Sequence, residues 1–209
     1  MISTEFVYGV NPVIHLLAAG SRPCHEVLVS IGRKESDYNK IEKAAKERRL
    51  SVKTVSRQDL TNLVKTDKHQ GVAVKCDIYR FSLLEDVVDA AIRDPLKGFL
   101  LILDGVSDPQ NLGALVRTAN LMGVHGVIIP KDNACGVTPT VVKASAGATE
   151  HQKIVQVTNI ANTINYLKEK GFWIVGAAGE KGGILYKHDF GGSNVAIILG
   201  SEGKGMRRL

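Results

Sequence analysis

The sequence predicts an α/β protein with a small N-terminal α/β domain and a C-terminal domain built on a parallel sheet. The first observation is a set of short, nearly continuous apolar runs in the second half of the chain, which is typical of strands covered on both faces. The second is that stretches with helical apolar spacing separate these runs, as parallel strands require. The third is that most of the net positive charge lies in the first 80 residues.

The N-terminal domain is expected over residues 1–78. Asn11 followed by Pro12 predicts a helix start, because asparagine can cap a helix and proline needs no hydrogen bond in the first turn. Gly20 predicts the end of that helix. Apolar spacing then predicts strands at residues 26–31, 51–55 and 72–76, a helix at 36–49 behind a Ser36 cap, and a helix at 56–64.

A linker is expected over residues 79–97, which contain an amphipathic segment at 83–92 and then Asp94-Pro95, a pair that disfavours further helix. The C-terminal domain is expected over residues 98–209. Its predicted strands are 99–103, 126–129, 154–157, 172–177 and 195–199, and its predicted helices are 111–122, 138–147 and 160–170.

Composition narrows the class of protein. Of 209 residues, 44% are apolar and 23% are charged, within the range of globular proteins. Neither a long apolar run nor a signal-peptide pattern is visible, so we expect no membrane association and a cytoplasmic location. Cys24, Cys76 and Cys135 lack the spacing of a zinc site or a disulfide framework, and we interpret them as buried hydrophobic residues.

The charge is unevenly distributed. Residues 1–80 carry 14 Lys and Arg against 9 Asp and Glu, which gives +5 of the net +6 of the whole chain. A basic domain beside a near-neutral one indicates a module that holds a polyanion, although charged helices that merely face solvent give the same pattern.

Ligands of an open parallel sheet bind beyond the carboxyl ends of its strands. Three segments of the C-terminal domain follow predicted strands: residues 104–119, 178–180 and 200–208. Their glycines allow a backbone to approach a ligand closely. Neither the dinucleotide fingerprint nor a phosphate loop is present, because Gly200, Gly203 and Gly205 have the wrong spacing and no Gly-Lys-Ser/Thr follows. Taken alone, the last loop is also consistent with a plain tight turn.

Two of these segments carry a family resemblance. The run 111–119 (NLGALVRTA), preceded by Asp104-Gly105 and Asp108-Pro109, resembles the first motif of the SpoU (TrmH-like) branch of the SPOUT methyltransferases, and the run 197–206 (IILGSEGKGM) resembles the second. The runs 7–13 (VYGVNPV) and 69–72 (HQGV) resemble the substrate-binding domain of the bacterial ribosomal-RNA members.

The resemblance implies S-adenosylmethionine as cofactor and methylation of a ribose 2′-hydroxyl in RNA, with a guanosine of large-subunit ribosomal RNA as the expected target. It also implies a ribosomal-protein-like RNA-binding fold for the first domain, a trefoil knot in the second, and a homodimer. In the family a third motif, which completes the knot, follows the second. The sequence stops at Leu209 before such a motif, so the expectation is a truncated domain with an incomplete knot.

The resemblance also implies the site residues. The catalytic residues would be Asn111, Arg117 and Glu202. The cofactor would contact backbone groups of six residues: Ala177, Ala178, Gly179, Leu199, Gly200 and Gly205. No metal is expected, because methyl transfer from a sulfonium needs none.

The family assigns Arg117 to the 2′-hydroxyl, but a guanidinium stays protonated near neutral pH and makes a poor base. We interpret Arg117 as a bidentate clamp on a neighbouring phosphate, with a base role left open if a nearby cation disfavours its charged form. Asn111 is interpreted either as a helix cap or as a holder of Arg117 or the ribose. Glu202 is expected to orient the arginine or to contact substrate.

Three alternatives remain at this stage. The chain is a non-catalytic RNA-binding protein if it truly ends at Leu209, or a transfer-RNA ribose methyltransferase of the same superfamily. The latter is disfavoured because residues 1–76 resemble the domain of ribosomal-RNA members. A dinucleotide-binding oxidoreductase is the weakest alternative, because the glycine fingerprint is missing.

Overall fold

The computed structural model describes residues 3–32, 35–177, 183–184, 187–201 and 205–206. The strands in these residues are, in chain order, β1 (Thr4–Tyr8), β2 (Cys24–Ser30), β3 (Val52–Val55), β4 (Val72–Asp77), β5 (Phe99–Asp104), β6 (Gly126–Pro130), β7 (Ile154–Val157), β8 (Phe172–Ala177) and β9 (Asn194–Gly200). The helices are α1 (Val10–Ala19), α2 (Glu35–Glu47), α3 (Arg57–Val64), α4 (Leu84–Arg93), α5 (Pro109–Leu121), α6 (Pro139–Ala144) and α7 (Ile160–Glu169). The predicted α/β class is confirmed.

The chain divides into two compact units. Unit 1 comprises Met1–Arg80 and Val137–His151, and unit 2 comprises Phe81–Gly136 and Gln152–Leu209. The chain therefore enters unit 1 twice, because α6 and the 3-10 helix that follows it, Ala148–Glu150, belong to it. The segment predicted as a linker carries α4, which packs into the core of unit 2 through Val87, Val88 and Ala91.

Unit 1 is built on a four-stranded sheet in the order β1-β4-β2-β3. β4 is antiparallel to both of its neighbours, and β2 and β3 are parallel. Side chains alternate between the two faces of a strand, and buried residues lie on both faces of this sheet. Val7 and Val27 face α1, α2 and α6 in one cluster, whereas Tyr8 and Leu28 face α3 in the other.

An ionic cluster centred on Arg22 lies inside unit 1. Arg22 is only 6% exposed, and its Nη2 donates to Glu150 at 2.7 Å. Its Nη1 pairs with Glu5 and donates to the carbonyl of Asp77 at 3.2 Å. Burial alone lowers the pKa of Arg22, but the carboxylates of Glu150 and Glu5 raise it by more. The second chain segment of unit 1 is therefore fixed to the sheet by a buried ion pair.

Two predicted helix starts are wrong. α1 begins at Val10 behind Gly9, which has φ 97°, so Asn11 is not its cap. The side chain of Gln70 accepts the Val10 N–H instead, at 3.1 Å. α2 begins at Glu35, which places Ser36 inside the helix. By contrast, the end of α1 at Gly20, with φ 60°, is confirmed.

Unit 2 contains a five-stranded parallel sheet in the order β7-β6-β5-β9-β8. Every pair of neighbouring strands in it is parallel, as the continuous apolar runs predicted. α4 and α7 contribute to one core cluster together with Leu100, Ile102 and Ile198. α5 buries Leu112, Val116 and Ala119. The sheet is thus covered by helices, and its carboxyl edge is where ligands are expected.

The three cysteines differ in burial. Cys24, Cys76 and Cys135 are free thiols. Cys76 is fully buried, and burial raises its pKa to about 12, so it remains a neutral thiol. Cys24 and Cys135 are partly exposed, which corrects their interpretation as buried residues.

Within the described ranges, every helix is too short or too polar to cross a bilayer.

Candidate active site

A cleft lies in unit 2 at the carboxyl ends of β5, β8 and β9. The register places Asp104 opposite Gly200 and Ala177 opposite Leu199, so the three strands end at one edge. The cleft has a volume of about 770 Å³, a size typical of small-molecule and cofactor sites. Its lining residues are Gly105, Val106, Ser107, Asp108, Asn111, Ala114, Leu115, Ala177, Leu199, Gly200, Ser201 and Gly205.

The segment after β5 forms one wall of the cleft. Gly105 has φ 80°, a conformation that favours glycine. Asp108 caps α5 by accepting the N–H groups of Gln110 and Asn111, at 3.3 and 3.1 Å. Pro109 occupies the first turn, where its missing N–H costs nothing. Asn111 is therefore not the cap, and its side chain lines the cleft.

A neighbouring segment supports the same wall. The N–H of Cys135 donates to the carbonyl of Val106 at 2.9 Å, which fixes the backbone of the wall. Burial, and to a lesser extent the carboxylate of Asp108, raises the pKa of the Cys135 thiol. Among the described residues of the lining, Asp108 is the charged one.

The segment after β9 forms the opposite wall. Ser201 and Gly205 exchange two backbone hydrogen bonds of 3.1 and 2.9 Å, which closes a tight loop. A Cβ atom on Gly200 would lie 2.1 Å from the carbonyl carbon of Gly205 and 2.2 Å from the amide nitrogen of Met206. Only glycine fits there without a backbone shift. Gly200, Ser201 and Gly205 of this segment line the cleft, and its two glycines allow a ligand to approach the backbone closely.

The structure places the predicted cofactor-binding residues as follows. Ala177, Leu199, Gly200 and Gly205 all line the cleft. Ala178 and Gly179 lie outside the described residues. Four predicted backbone contacts are therefore brought together at one edge of the sheet.

The predicted catalytic residues are distributed differently. Asn111 lines the cleft, and Glu202 lies outside the described residues. Arg117 is exposed on α5, six residues after Asn111, and it is not part of the cleft lining. Its role remains a prediction.

Seven lining residues were not among the predicted site residues: Gly105, Val106, Ser107, Asp108, Ala114, Leu115 and Ser201. All seven lie in the segments after β5 and β9 that the sequence already indicated. The signal that was overlooked for Asp108 is the Asp-Pro pair itself, because an acidic cap followed by proline is a common helix start.

Metal ligands are not assembled in the described part of the chain. No group of three or more His, Cys, Asp or Glu side chains there is arranged to hold a metal ion. The cleft itself offers glycine backbone, a few hydroxyl and amide groups, and the carboxylate of Asp108.

Comparison with known proteins identifies the family. The model of the SpoU rRNA methylase family matches residues 98–209, which include the whole cleft. The model of the RNA 2′-O ribose methyltransferase substrate-binding domain matches residues 6–82. The chain belongs to the SpoU rRNA methylase family. The sequence-based family prediction is confirmed.

Relatives within the SpoU family cover the chain almost completely. The 23S rRNA (guanosine-2′-O-)-methyltransferase RlmB of Shewanella oneidensis is 39% identical over 209 residues, which are 100% of this chain and 84% of the relative. YacO of Bacillus subtilis, which is named as a member of the TrmH family of tRNA/rRNA methyltransferases, is 38% identical to this chain. The alignment covers 98% of this chain and 81% of YacO.

Solved SpoU structures share the fold. The SpoU methyltransferase AviRb of Streptomyces viridochromogenes, solved in complex with the cofactor AdoMet, aligns with a TM-score of 0.78 at 19% identity. The alignment covers 98% of this chain and 76% of AviRb. The fold of this chain is therefore that of a known SpoU protein.

Proposed function

We propose that this chain is an S-adenosylmethionine-dependent methyltransferase that methylates the ribose 2′-hydroxyl of a guanosine in 23S ribosomal RNA. The observation that carries the proposal is the glycine-lined cleft at the carboxyl ends of β5, β8 and β9. It lies in a chain that is 39% identical, over its full length, to a methyltransferase named for that reaction.

The residues present fit the cofactor. The cleft volume of about 770 Å³ suits a ligand of this size, and the glycines of its lining, Gly105, Gly200 and Gly205, allow its adenosine to approach the backbone. S-adenosylmethionine, when bound, supplies an electrophilic methyl group on a sulfonium. The task of the chain is then to hold the ribose hydroxyl in line with that group and to exclude water.

Roles follow for the polar residues around the cleft. Asn111 offers an amide to the ribose, since its side chain lines the cleft. Asp108 positions Asn111, because its carboxylate holds the N–H groups of the first turn of α5. Arg117 clamps an RNA phosphate from the exposed side of α5. Glu202, Ala178 and Gly179 complete the set as the family resemblance implies. A homodimer, a trefoil knot and a cytoplasmic location belong to the same proposal.

The direct test is methyl transfer from radiolabelled S-adenosylmethionine to ribosomal RNA that lacks the modification. We expect label in 23S RNA at the 2′-oxygen of one guanosine, mapped by the local resistance of the backbone to alkaline hydrolysis. Label in transfer RNA alone would favour the transfer-RNA alternative. Absence of cofactor binding by calorimetry would favour a non-catalytic RNA-binding protein.

Substitution of Gly200 tests the cofactor pocket. We expect Gly200→Ala to weaken S-adenosylmethionine binding by about tenfold to a hundredfold, the effect of about 1.4–2.8 kcal/mol of overpacking and loop displacement. The reason is the 2.1 Å approach of the added Cβ to Gly205. Calorimetric titration of the purified variant measures the dissociation constant.

Gly136→Ala is the matched control for Gly200→Ala. A Cβ at Gly136 meets nothing within 4 Å, so this variant is expected to bind the cofactor as the parent does. Equal affinity of Gly200→Ala and the parent would show that the cofactor does not bind against the Ser201–Gly205 loop.

A further inference from the structure

A groove on unit 1, separate from the cleft of unit 2, runs along α2 beside β3. Its volume is about 850 Å³. Lys43, Lys46 and Arg49 line it together with Tyr38, and Leu50 and Val52 form its apolar part. Lys43 and Lys46 are three residues apart on α2, which places them on one side of the helix. Arg49 follows the end of α2 and extends the same line of positive charge.

The three cations of the groove are not engaged in ion pairs with other described residues, and all three are exposed. Two other basic residues nearby, Lys53 and Arg48, are engaged. Lys53 pairs with Glu26 at 2.8 Å, and Arg48 donates to the carbonyl of Leu17 at 2.7 Å.

Glu42 is the acidic residue of the lining. The groove therefore keeps a net positive charge of two from three cations and one carboxylate. A concave surface with a net positive charge favours a polyanion over a neutral or cationic partner.

We propose that this groove binds the sugar-phosphate backbone of single-stranded RNA, with phosphates held by Lys43, Lys46 and Arg49 and an unpaired base packed against the exposed part of Tyr38. The combination of basic side chains with an aromatic ring is the usual basis of single-strand binding. The match of residues 6–82 to an RNA substrate-binding model includes the whole groove. The inference rests on the proposed function, since it takes RNA to be the substrate.

The test is the salt dependence of RNA binding. Fluorescence anisotropy of the full chain with a short oligouridylate and with ribosomal RNA hairpins gives the slope of log affinity against log salt. We expect the variant Lys43→Gln/Lys46→Gln/Arg49→Gln to lower that slope by about two, because each lost phosphate contact on a single strand contributes about 0.7. Affinity should fall on every sequence alike, since phosphate contacts carry no sequence information.

The matched control removes three cations from the opposite face of the sheet. Arg57, Lys65 and Lys68 lie on or just after α3 and are exposed, and their triple glutamine variant loses the same net charge. We expect its slope to stay within a few tenths of that of the parent. An equal loss of slope in both triple variants would contradict the proposed RNA site. It would show that the RNA is attracted only by the overall positive charge of the domain.

Failure of the groove and failure of the proposed function give different results. If the parent binds and methylates RNA but the groove variant keeps the slope of the parent, the proposed RNA site is wrong and the proposed enzymatic function is supported. If the groove variant loses slope while no RNA is methylated by the parent, the groove stands as an RNA site and the enzymatic proposal is wrong. Thermal unfolding of both variants shows that each is folded.

Discussion

Arg117→Ala is expected to lower the single-turnover rate of methyl transfer by about a thousandfold, the range seen when a charge-stabilising or proton-handling group is removed. The affinity for S-adenosylmethionine should change little, because Arg117 is exposed on α5 and lies outside the cleft lining. Arg117→Lys should restore only a small part of the rate, since an ammonium cannot reproduce the bidentate geometry of a guanidinium. Rapid-quench kinetics with saturating cofactor and RNA measures the rate.

Arg93→Ala is the control for loss of an exposed arginine in the same unit. Arg93 lies on α4, and its contact with Asp89 is solvent-exposed at 3.8 Å, so its removal should leave the rate unchanged. A near-normal rate for Arg117→Ala would show that another residue acts on the 2′-hydroxyl.

Glu150→Ala is expected to destabilise unit 1 by about 3–5 kcal/mol, the usual cost of removing one partner of a buried ion pair. The side chain of Glu150 is fully buried, and its loss leaves the guanidinium of Arg22 inside the protein with only Glu5 to compensate its charge. Urea unfolding, with hydrogen exchange of the β2 and β4 amides as the readout for unit 1, measures the loss.

The double variant Arg22→Met/Glu150→Leu separates charge from packing. Replacing a buried pair by apolar residues of similar size is often neutral or stabilising, so the double variant should be more stable than Glu150→Ala alone. Lys53→Ala, which removes a partly exposed pair with Glu26, should cost less than about 1 kcal/mol. A similar small loss for Glu150→Ala would mean that water reaches Arg22 without unfolding.

The sequence predicted most of the fold because both domains follow local rules. Unbroken apolar runs predicted all five strands of the parallel sheet, since a strand buried on both faces needs no partner to be recognised. A local capping signal predicted the end of α1 at Gly20, and apolar spacing predicted a helix at 56–64 where α3 (Arg57–Val64) is observed. The edge of the sheet that forms the cleft followed from strand direction alone.

What the sequence did not reveal depends on residues far apart in the chain. β1 was not predicted, because it becomes a strand through pairing with β4, some 70 residues later. The cap of α1 was assigned to Asn11 because Gln70, which accepts the Val10 N–H, is 60 residues away. Val137–His151 belongs to unit 1, where Glu150 contacts Arg22 across a sequence separation of 128 residues.

The candidate site shows the same difference between features that local sequence predicts and features that it does not. Four residues predicted to bind the cofactor line the cleft because they lie at or shortly after the ends of strands, so their position is a local property. Asp108 was not recognised as the cap of α5, although its contacts are local, because Asn111 satisfied the same pattern. The role of Arg117 comes from family resemblance, and the geometry of one chain does not bring its side chain into the cleft lining.

The double passage of the chain through unit 1 has a consequence for synthesis on the ribosome. Met1–Arg80 leaves the ribosome first, but its fold includes Val137–His151, so Phe81–Gly136 must be translated before unit 1 can close. At about 5–20 residues per second that delay lasts several seconds. During this delay Arg22 lacks its ion-pair partner Glu150, and the apolar surface that Val142 later covers is exposed to water. The nascent chain is most vulnerable to aggregation during this interval, so a chaperone acting on it is expected to bind before residue 151 has emerged.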